Sequence, residues 1–292
     1  MMKTQSADTH LDAERMLIHL IRTAPMSKRF RLIQSLTQGA FWSNIQAWRQ
    51  RHPNMCEQDA ALQVISRSYG SLLTKQVREA LVQHQDWSLQ PIDLLTVMLP
   101  ALQAFDEQNL FWYLGGSIAS SLHGMQQMAQ DVDLVVNLHS QNLSSLLLLL
   151  RQHYAFDDDA FQEAVSQRTA CSLIHLDTLM KVDVIIVKQS AFEIALHPRI
   201  ASYHLDDRYP SLRLASAVEM ILVKLHRYSQ DLLSRTDGMR DDAGWNDIVG
   251  MLKIQEPPLE RDFLEEWART LKIAEVLRQA LVDAGTEEAN AA

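Results

Sequence analysis

The spacing of apolar residues changes character twice along this chain. Over roughly residues 10–85 apolar positions recur at helical intervals: Leu11, Ala13, Met16, Leu17, Leu20 and Ile21 form one stripe, and Phe30, Leu32, Ile33 and Leu36 begin a second. A third helix is predicted from Phe41 to Arg51, ended by His52-Pro53-Asn54. Glu57–Tyr69 and Leu72–His84 read as helices on either side of Gly70, and Gln85–Leu89 as a junction. Pro91 fits the first turn of a further helix, from Ile92 to Gln103.

Beyond Asp106 the period shortens. Leu110–Leu114 is an aromatic and aliphatic run that ends in Gly115-Gly116, a strand entering a tight turn, and Ser117–Leu122 then starts a helix. Val132–Leu138, Ala170–Leu176 and Lys181–Val187 read as strands, with helices over 140–152 and 157–166. From Ala215 the helical spacing returns, over 216–230, 241–253, 259–270 and 272–283, before a frayed tail from Gly285 to Ala292. The fold class that follows is α+β: a helical module over 1–90, a small mixed-sheet core over 91–215 and a helical bundle over 216–292.

Composition narrows this only at the edges. With 292 residues, 47% of them apolar and 22% charged, the chain can bury a real core. No apolar run is long enough for a membrane helix, the start lacks the apolar centre of a secretory signal, and two distant cysteines make no disulfide framework. The expected location is therefore the cytoplasm, with no membrane partner. A net charge of -9 argues against non-specific coating of nucleic acid. Bases nevertheless outnumber acids over residues 1–90, including Lys28-Arg29-Phe30-Arg31 and Arg49-Gln50-Arg51, which leaves room for a local basic surface.

The chemistry concentrates in two short stretches. Tyr113-Leu114-Gly115-Gly116-Ser117 places a glycine turn between a strand and a helix start. Glycine lets backbone approach an anion closely, and the helix N-terminus offers free N–H groups and the positive end of its dipole, so the turn suits a phosphate, with the Ser117 hydroxyl beside it. Asp131 and Asp133 stand two apart on the next strand and so project from one face. Carboxylates held side by side repel unless a cation neutralises them, and Mg2+ or Mn2+, with their preference for hard oxygens, fit that role. Asp183, the sole acid in the apolar strand Lys181–Ile186, supplies a third carboxylate. Three such acids can hold two metals, one at an attacking oxygen and one at a leaving pyrophosphate. Each piece alone has a plainer reading: an ordinary turn, a solvated Asp-x-Asp, an edge-strand charge. Their ordered combination is what points to a site.

At these residues the chain resembles the AbiEii-type nucleotidyltransferases, toxin components of type IV toxin–antitoxin and abortive-infection systems within the DNA polymerase β superfamily. The resemblance covers residues 108–284. It rests on Gly115 to Gly124, on Asp131-Val132-Asp133-Leu134-Val135-Val136, on Lys181-Val182-Asp183, on Glu219 to Leu225 and on Trp245 to Gly250. It implies a nucleotidyltransferase core in which Gly115, Gly116 and Ser117 bind the triphosphate of a nucleoside triphosphate, Asp131, Asp133 and Asp183 bind metal, and Lys224 and Asp247 border the nucleotide. It also implies an RNA acceptor such as a tRNA, or a protein hydroxyl, and an antitoxin-like partner. Two departures stand out. Gln126-Gln127-Met128-Ala129 replaces the Pro-Arg-x-Thr that related sequences often carry before the first metal acid, and Asp241-Asp242-Ala243-Gly244 replaces a Ser-Asp-Arg-Gln. Both remove an arginine from the phosphate region, which glutamine does not replace electrostatically.

Other residues read more plainly. Lys224 balances between a phosphate contact and a surface lysine, and Arg199 reads first as a solvated arginine. His123 reads as structural, and Trp42, Trp48 and Trp87 as core or interface anchors. The resulting expectation is metal-dependent transfer of a nucleoside monophosphate to an acceptor hydroxyl, with Asp183 helping to deprotonate it. The alternatives are a catalytically degenerate nucleotide-binding module of the same fold, and a regulatory protein whose residues 1–90 mask the site.

Overall fold

The fold is described from a computed structural model, over residues 2–4, 8–81, 87–188, 190–208, 211–234, 242–255 and 259–286. Parts of the sequence reading, namely the helix end at His84, Gln85 in the junction, Asp241, and 287–292 of the tail, lie outside the described residues. The first helices are α1 (Leu11–Thr23), α2 (Met26–Arg51), α3 (Glu57–Tyr69), α4 (Ser71–Leu81) and α5 (Leu94–Glu107). Then come β1 (Trp112–Leu114), α6 (Gly116–His123), β2 (Asp131–Val136), α7 (Ser140–Leu150), β3 (Tyr154–Ala155), α8 (Asp158–Gln167), β4 (Ala170–His175) and β5 (Lys181–Ile186). The chain continues through α9 (Ala191–Leu196), β6 (Ala201–Tyr203), β7 (Leu212–Leu214), α10 (Ala217–Ser234), α11 (Asp242–Ile254), α12 (Arg261–Thr270) and α13 (Ala274–Ala284). The α+β class expected from periodicity is thus the class observed, and among the described residues no helix is long and apolar enough to cross a membrane.

Two compact units are present, neither of them a continuous stretch. One comprises Met1–Phe30, Ile118–Gln126 and Ile194–Ala292, the other Arg31–Ser117 and Gln127–Glu193. In the second unit five strands lie in the order β3-β4-β5-β2-β1, with β2 and β5 parallel and the pairs β1–β2, β4–β5 and β3–β4 antiparallel. A parallel pair needs a crossover of a dozen residues or more, here supplied by α7, β3, α8 and β4. The helical segment from Arg31 onward is built into this unit. Ile45, Ala61, Leu62, Ile65, Val77 and Leu81 share one buried cluster with Ala155, Ile174, Leu176 and Leu179 from the sheet end, and the Trp87 indole N–H donates to the Leu176 carbonyl (2.8 Å).

Several helix boundaries differ from their sequence expectation for local reasons. The stripes at Phe30 and Phe41 belong to one helix, α2, within which the Thr37 hydroxyl donates back to the Ile33 carbonyl (2.8 Å) and Gly39 makes no break. Pro91 lies ahead of α5 rather than in its first turn. Asp93 caps that helix by accepting from the Thr96 N–H (2.8 Å), and Pro100 sits inside it without ending it. The stripe read on α1 is also turned. Met16, Leu17 and Leu20 are exposed, while Glu14, Ile18 and Ile21 are buried.

The cause lies in the first unit's own core. Glu14 and Lys253 form an ion pair (2.5 Å) with both side chains 1% exposed, and the Lys253 ammonium also donates to the Lys3 carbonyl. Arg22 donates to the carbonyls of Lys253, Ile254 and Gln255 at the end of α11. Ile18 and Ile21 then pack with Met125 and Ile254. A buried charge makes pairing decisive, so the side of α1 that carries Glu14 faces inward even though a larger apolar stripe lies elsewhere.

Two predictions follow from these cores. Lys253→Met strands the Glu14 charge and is expected to cost about 3–5 kcal/mol in denaturant unfolding, whereas Glu14→Leu with Lys253→Met recovers most of it. His175, buried and hydrogen-bonded to Thr178 (3.0 Å), is held by burial well below its ordinary 6.5, at about 4. The unfolded chain therefore binds this proton more readily between those values, and stability is lost as pH falls from about 6.5 through about 4. In His175→Gln the acid-side loss over that window should shrink; an unchanged pH–stability curve would refute the assignment.

Candidate functional site

The site forms in the second unit from two strands and a turn. On β2 Val132, Leu134 and Val136 are buried while Asp131, Asp133 and Val135 take the other face. β5 repeats the alternation, with Val182, Val184 and Ile186 buried and Lys181, Asp183 and Ile185 on the opposite side. The parallel register sets Asp133 opposite Asp183 and Asp131 opposite Lys181. Directly opposed residues on neighbouring strands project to the same face, so three carboxylates and one ammonium share it, at the N-terminal ends of both strands.

The ammonium is tied in place. Lys181 Nζ lies 3.0 Å from Asp131 Oδ2 and 2.7 Å from Asp183 Oδ2, and 5.8 Å from the centre of the Tyr69 ring. Burial pulls the Lys181 ammonium down, but its hydrogen bond and charge interaction with Asp183, then those with Asp131, outweigh burial and hold it above the ordinary lysine value. The other Asp183 oxygen accepts from Ser172, its antiparallel neighbour on β4 (2.6 Å). Tyr69, the last residue of α3, donates its hydroxyl to the Gln130 carbonyl immediately before Asp131 (2.9 Å). Burial, then the Asp131 charge, pushes the Tyr69 hydroxyl up to about 12, so it stays a donor.

The glycine turn meets the same face. The Gly115 N–H donates to the Asp133 carbonyl (2.9 Å). Gly116 has φ +57, and a Cβ placed there would lie 1.6 Å from Asp133 Oδ2. Only glycine satisfies both demands, the left-handed backbone and the room for the carboxylate. Asp133 thus sits over the start of α6, where its carboxylate accepts from the Ser117 backbone N–H. Burial, then the charges of Asp131 and Asp183, pushes its carboxyl up to about 6, while the Ser117 N–H and Lys181 pull the other way.

Three hard carboxylates crowded on one face against a single ammonium form a donor set that suits a divalent cation. Among the described residues, however, no three acidic, histidine or cysteine side chains are drawn together as a metal cage. Lys181 already draws Asp131 and Asp183 toward itself, and Asp133 turns to the α6 terminus.

The remaining sequence candidates, Lys224 and Asp247, lie in the first unit. Lys224 Nζ pairs with Asp247 Oδ2 (2.7 Å), which also accepts from Ser120 of α6 (3.0 Å). Asp247 is 8% exposed, and its Oδ1 is buried with no hydrogen-bond partner among the described residues. Arg199 pairs with Glu260 (2.8 Å) and lies 3.5 Å over the Phe263 ring. His123 is buried with Nε2 at 2.8 Å from the Ala215 carbonyl. In the departing segment, Gln126 is held by the Ser121 and Gly124 carbonyls, and the Ala129 N–H donates to Thr37.

Lys181, Ser172 and Tyr69 were not among the sequence candidates. Lys181 had a signal, its two-residue spacing from Asp183 on one strand. Ser172 depends on an antiparallel register and Tyr69 on a helix packing, neither of which leaves a local mark.

No family model and no curated protein matches the sequence. Similar solved structures include an antigenic nucleotidyltransferase-like protein from Paracoccidioides brasiliensis, at 17% identity and TM-score 0.40, covering 64% of this chain and 90% of that one. The antibiotic-resistance factor ANT(2'')-Ia is similar at 14% identity and TM-score 0.34, over 66% of this chain and 96% of its own. A CCA-adding enzyme in complex with CTP is similar at 16% and 0.27, over 70% of this chain and 53% of its own.

Gly116→Ala tests the contact on which the site's shape rests. It is expected to cost about 1–3 kcal/mol from left-handed strain and the displaced carboxylate. Gly115→Ala, whose Cβ would meet only a Val135 methyl at 3.3 Å, should cost less. Equal thermal and chemical unfolding of the two variants would rule this account out.

Proposed function

We propose that this chain is a metal-dependent nucleotidyltransferase that moves a nucleoside monophosphate from a nucleoside triphosphate to an acceptor hydroxyl. The observation that carries the reading is the pairing of Asp133 with Asp183 across parallel strands, beside a glycine turn whose N–H groups open a helix. Asp131, Asp133 and Asp183 would hold Mg2+ or Mn2+. A bound divalent cation would lower the acceptor hydroxyl's pKa and offset charge on the departing pyrophosphate. Gly115, Gly116 and Ser117 would receive phosphate oxygens on backbone N–H groups, with the α6 dipole behind them. Asp183, fixed on one side by Ser172, would accept the acceptor's proton. With no arginine at Gln127, electrostatic stabilisation would fall to the cation and the α6 terminus.

A cavity of about 220 Å³ lies in the same unit, lined by Phe41, Ile65, Tyr69, Met128, Gln130 and Met180 among others. Gln130 and Met180 directly precede Asp131 and Lys181, and among the described residues no charged side chain lines it. An uncharged, flat group of nucleotide or acceptor suits it better than a phosphate. The finer assignment within this reading is an AbiEii-like toxin enzyme acting on RNA such as a tRNA, or on protein, with Lys224 and Asp247 bordering the nucleotide. The buried Asp247 Oδ1, with no hydrogen-bond partner among the described residues, supports a ligand-facing role for that pair.

A second reading is favoured by one feature. Lys181 pairs with Asp131 and Asp183 and Asp133 rests on the Ser117 N–H, as expected of a module that keeps the fold and binds nucleotide without turnover.

Incubating the protein with each α-labelled nucleoside triphosphate, Mg2+ and total RNA or lysate separates these. Transfer should be chelator-sensitive and fall about a hundredfold or more in Asp131→Asn and Asp183→Asn, the equivalent of about 3 kcal/mol of transition-state stabilisation. Equal, trace label in wild type and variants, with nucleotide still bound by calorimetry, would establish the binding module instead.

A further inference from the structure

We infer that Lys181 is an internal counter-cation that occupies the divalent cation's electrostatic position and must be displaced before cation binds. This rests on the metal-site reading above and specifies which side chain competes with the cation there.

Three observations carry it. First, the Lys181 ammonium makes two close carboxylate contacts, to Asp131 and Asp183, on neighbouring strands. These are the acids that a shared cation would also bridge. Second, the strand register makes this unavoidable. Lys181 is the direct partner of Asp131 and stands two residues before Asp183 on one face, so its ammonium reaches both without bending the chain. Third, the lysine is caged rather than loose: the Tyr69 ring lies beneath it, and Tyr69 is itself anchored on Gln130.

The third acid completes the picture. Asp133 is the acid of the trio without a close Lys181 contact among the ion pairs, and it rests on the Ser117 N–H at the α6 terminus instead. A carboxylate there occupies an anion position, as a phosphate oxygen would. The lysine thus takes a cation's position and Asp133 an anion's. Each charge has an internal partner, which lets three carboxylates be packed on one face without ligand.

Two consequences separate this role from a structural salt bridge. Removing the ammonium while keeping the side chain's bulk should strengthen cation binding, because the competitor is gone and three carboxylates remain. A structural lysine would give the opposite result, since its loss would disorder the acids. Cation binding should also release Lys181 into solvent.

The test uses the full chain and Mn2+ alone, with no nucleotide, so that turnover plays no part. Paramagnetic resonance would count free Mn2+ against wild type, Lys181→Met, Lys181→Arg, Asp133→Asn, and Asp133→Asn with Lys181→Met. Circular dichroism would check folding. Lys181→Met should bind Mn2+ about tenfold more tightly than wild type, within the range of ordinary site–site coupling. Lys181→Arg should stay as weak as wild type, and Asp133→Asn should abolish the gain. In wild type, acetylation of Lys181 read by mass spectrometry should rise when Mn2+ is added, which keeps the question open to decision even if Lys181→Met does not fold.

Equal or weaker binding by folded Lys181→Met, with binding still lost in Asp133→Asn, would overturn the counter-cation role and leave the metal reading intact. Lys181 acetylation that ignores bound Mn2+ would overturn it equally. Mn2+ binding indifferent to Asp133 in both backgrounds would overturn the metal reading, and this inference with it.

Discussion

Three carboxylates on one face of a two-strand register have to be neutralised before anything else about this unit can be stable. At the separations of paired strands, unscreened like charges cost several kcal/mol even at an intermediate effective dielectric. The chain meets that cost in two ways. Lys181 bridges Asp131 and Asp183, and Asp133 is turned away to a helix N-terminus, its carboxyl still pushed up to about 6 by burial and its neighbours. The remaining features of the site follow from these two arrangements. Gly116 has to be glycine because Asp133 lies over it, Tyr69 closes the far side of Lys181, and Ser172 takes the last oxygen of Asp183.

On the proposed reading, one geometry of the glycine turn would serve both the protein's own carboxylate and a phosphate. Its N–H groups and helix dipole attract any anion of suitable size, and the protein's own carboxylate fills that role at low entropic cost because Asp133 is already fixed by its strand. On the proposed reading, Asp133 would hold the cation and the N–H groups of the turn would hold phosphate, so both pairs would change together. Stability without ligand and affinity for ligand are then opposed through the same atoms, a common arrangement where function depends on a tuned site.

Much of this arrangement was legible in the sequence, and what was legible was local. The strand cores at Val132–Val136 and Val182–Ile186, the turn at Gly115-Gly116 and the shared face of Asp131 and Asp133 follow from a period of two and from glycine's freedom. The helices from 216 onward were placed within a few residues for similar reasons. What failed to show was set by partners distant in sequence. The buried side of α1 is decided by Lys253, more than two hundred residues away, so an apolar stripe of Met16, Leu17 and Leu20 pointed to the wrong face. The short strands β3, β6 and β7 carry too few residues for a period to register. Lys181 was visible in the motif but had no role until the register placed it opposite Asp131.

The helical segment before residue 90 gains a different meaning from this packing. A masking module should be separable, with a surface of its own and a removable contact at the site. Here α2, α3 and α4 share a buried core with β3, β4 and the Leu176–Leu179 turn, and Gln34 donates to the Ile92 carbonyl and accepts from the Leu94 N–H, fixing the start of α5. Among the described residues of that segment, Tyr69 places its ring near Lys181, from a helix end where Gly70 takes a positive φ. Removing the segment would expose Ile174, Leu176 and Leu179 and strip the lysine of its ring, so loss of the unit's fold would outweigh any unmasking.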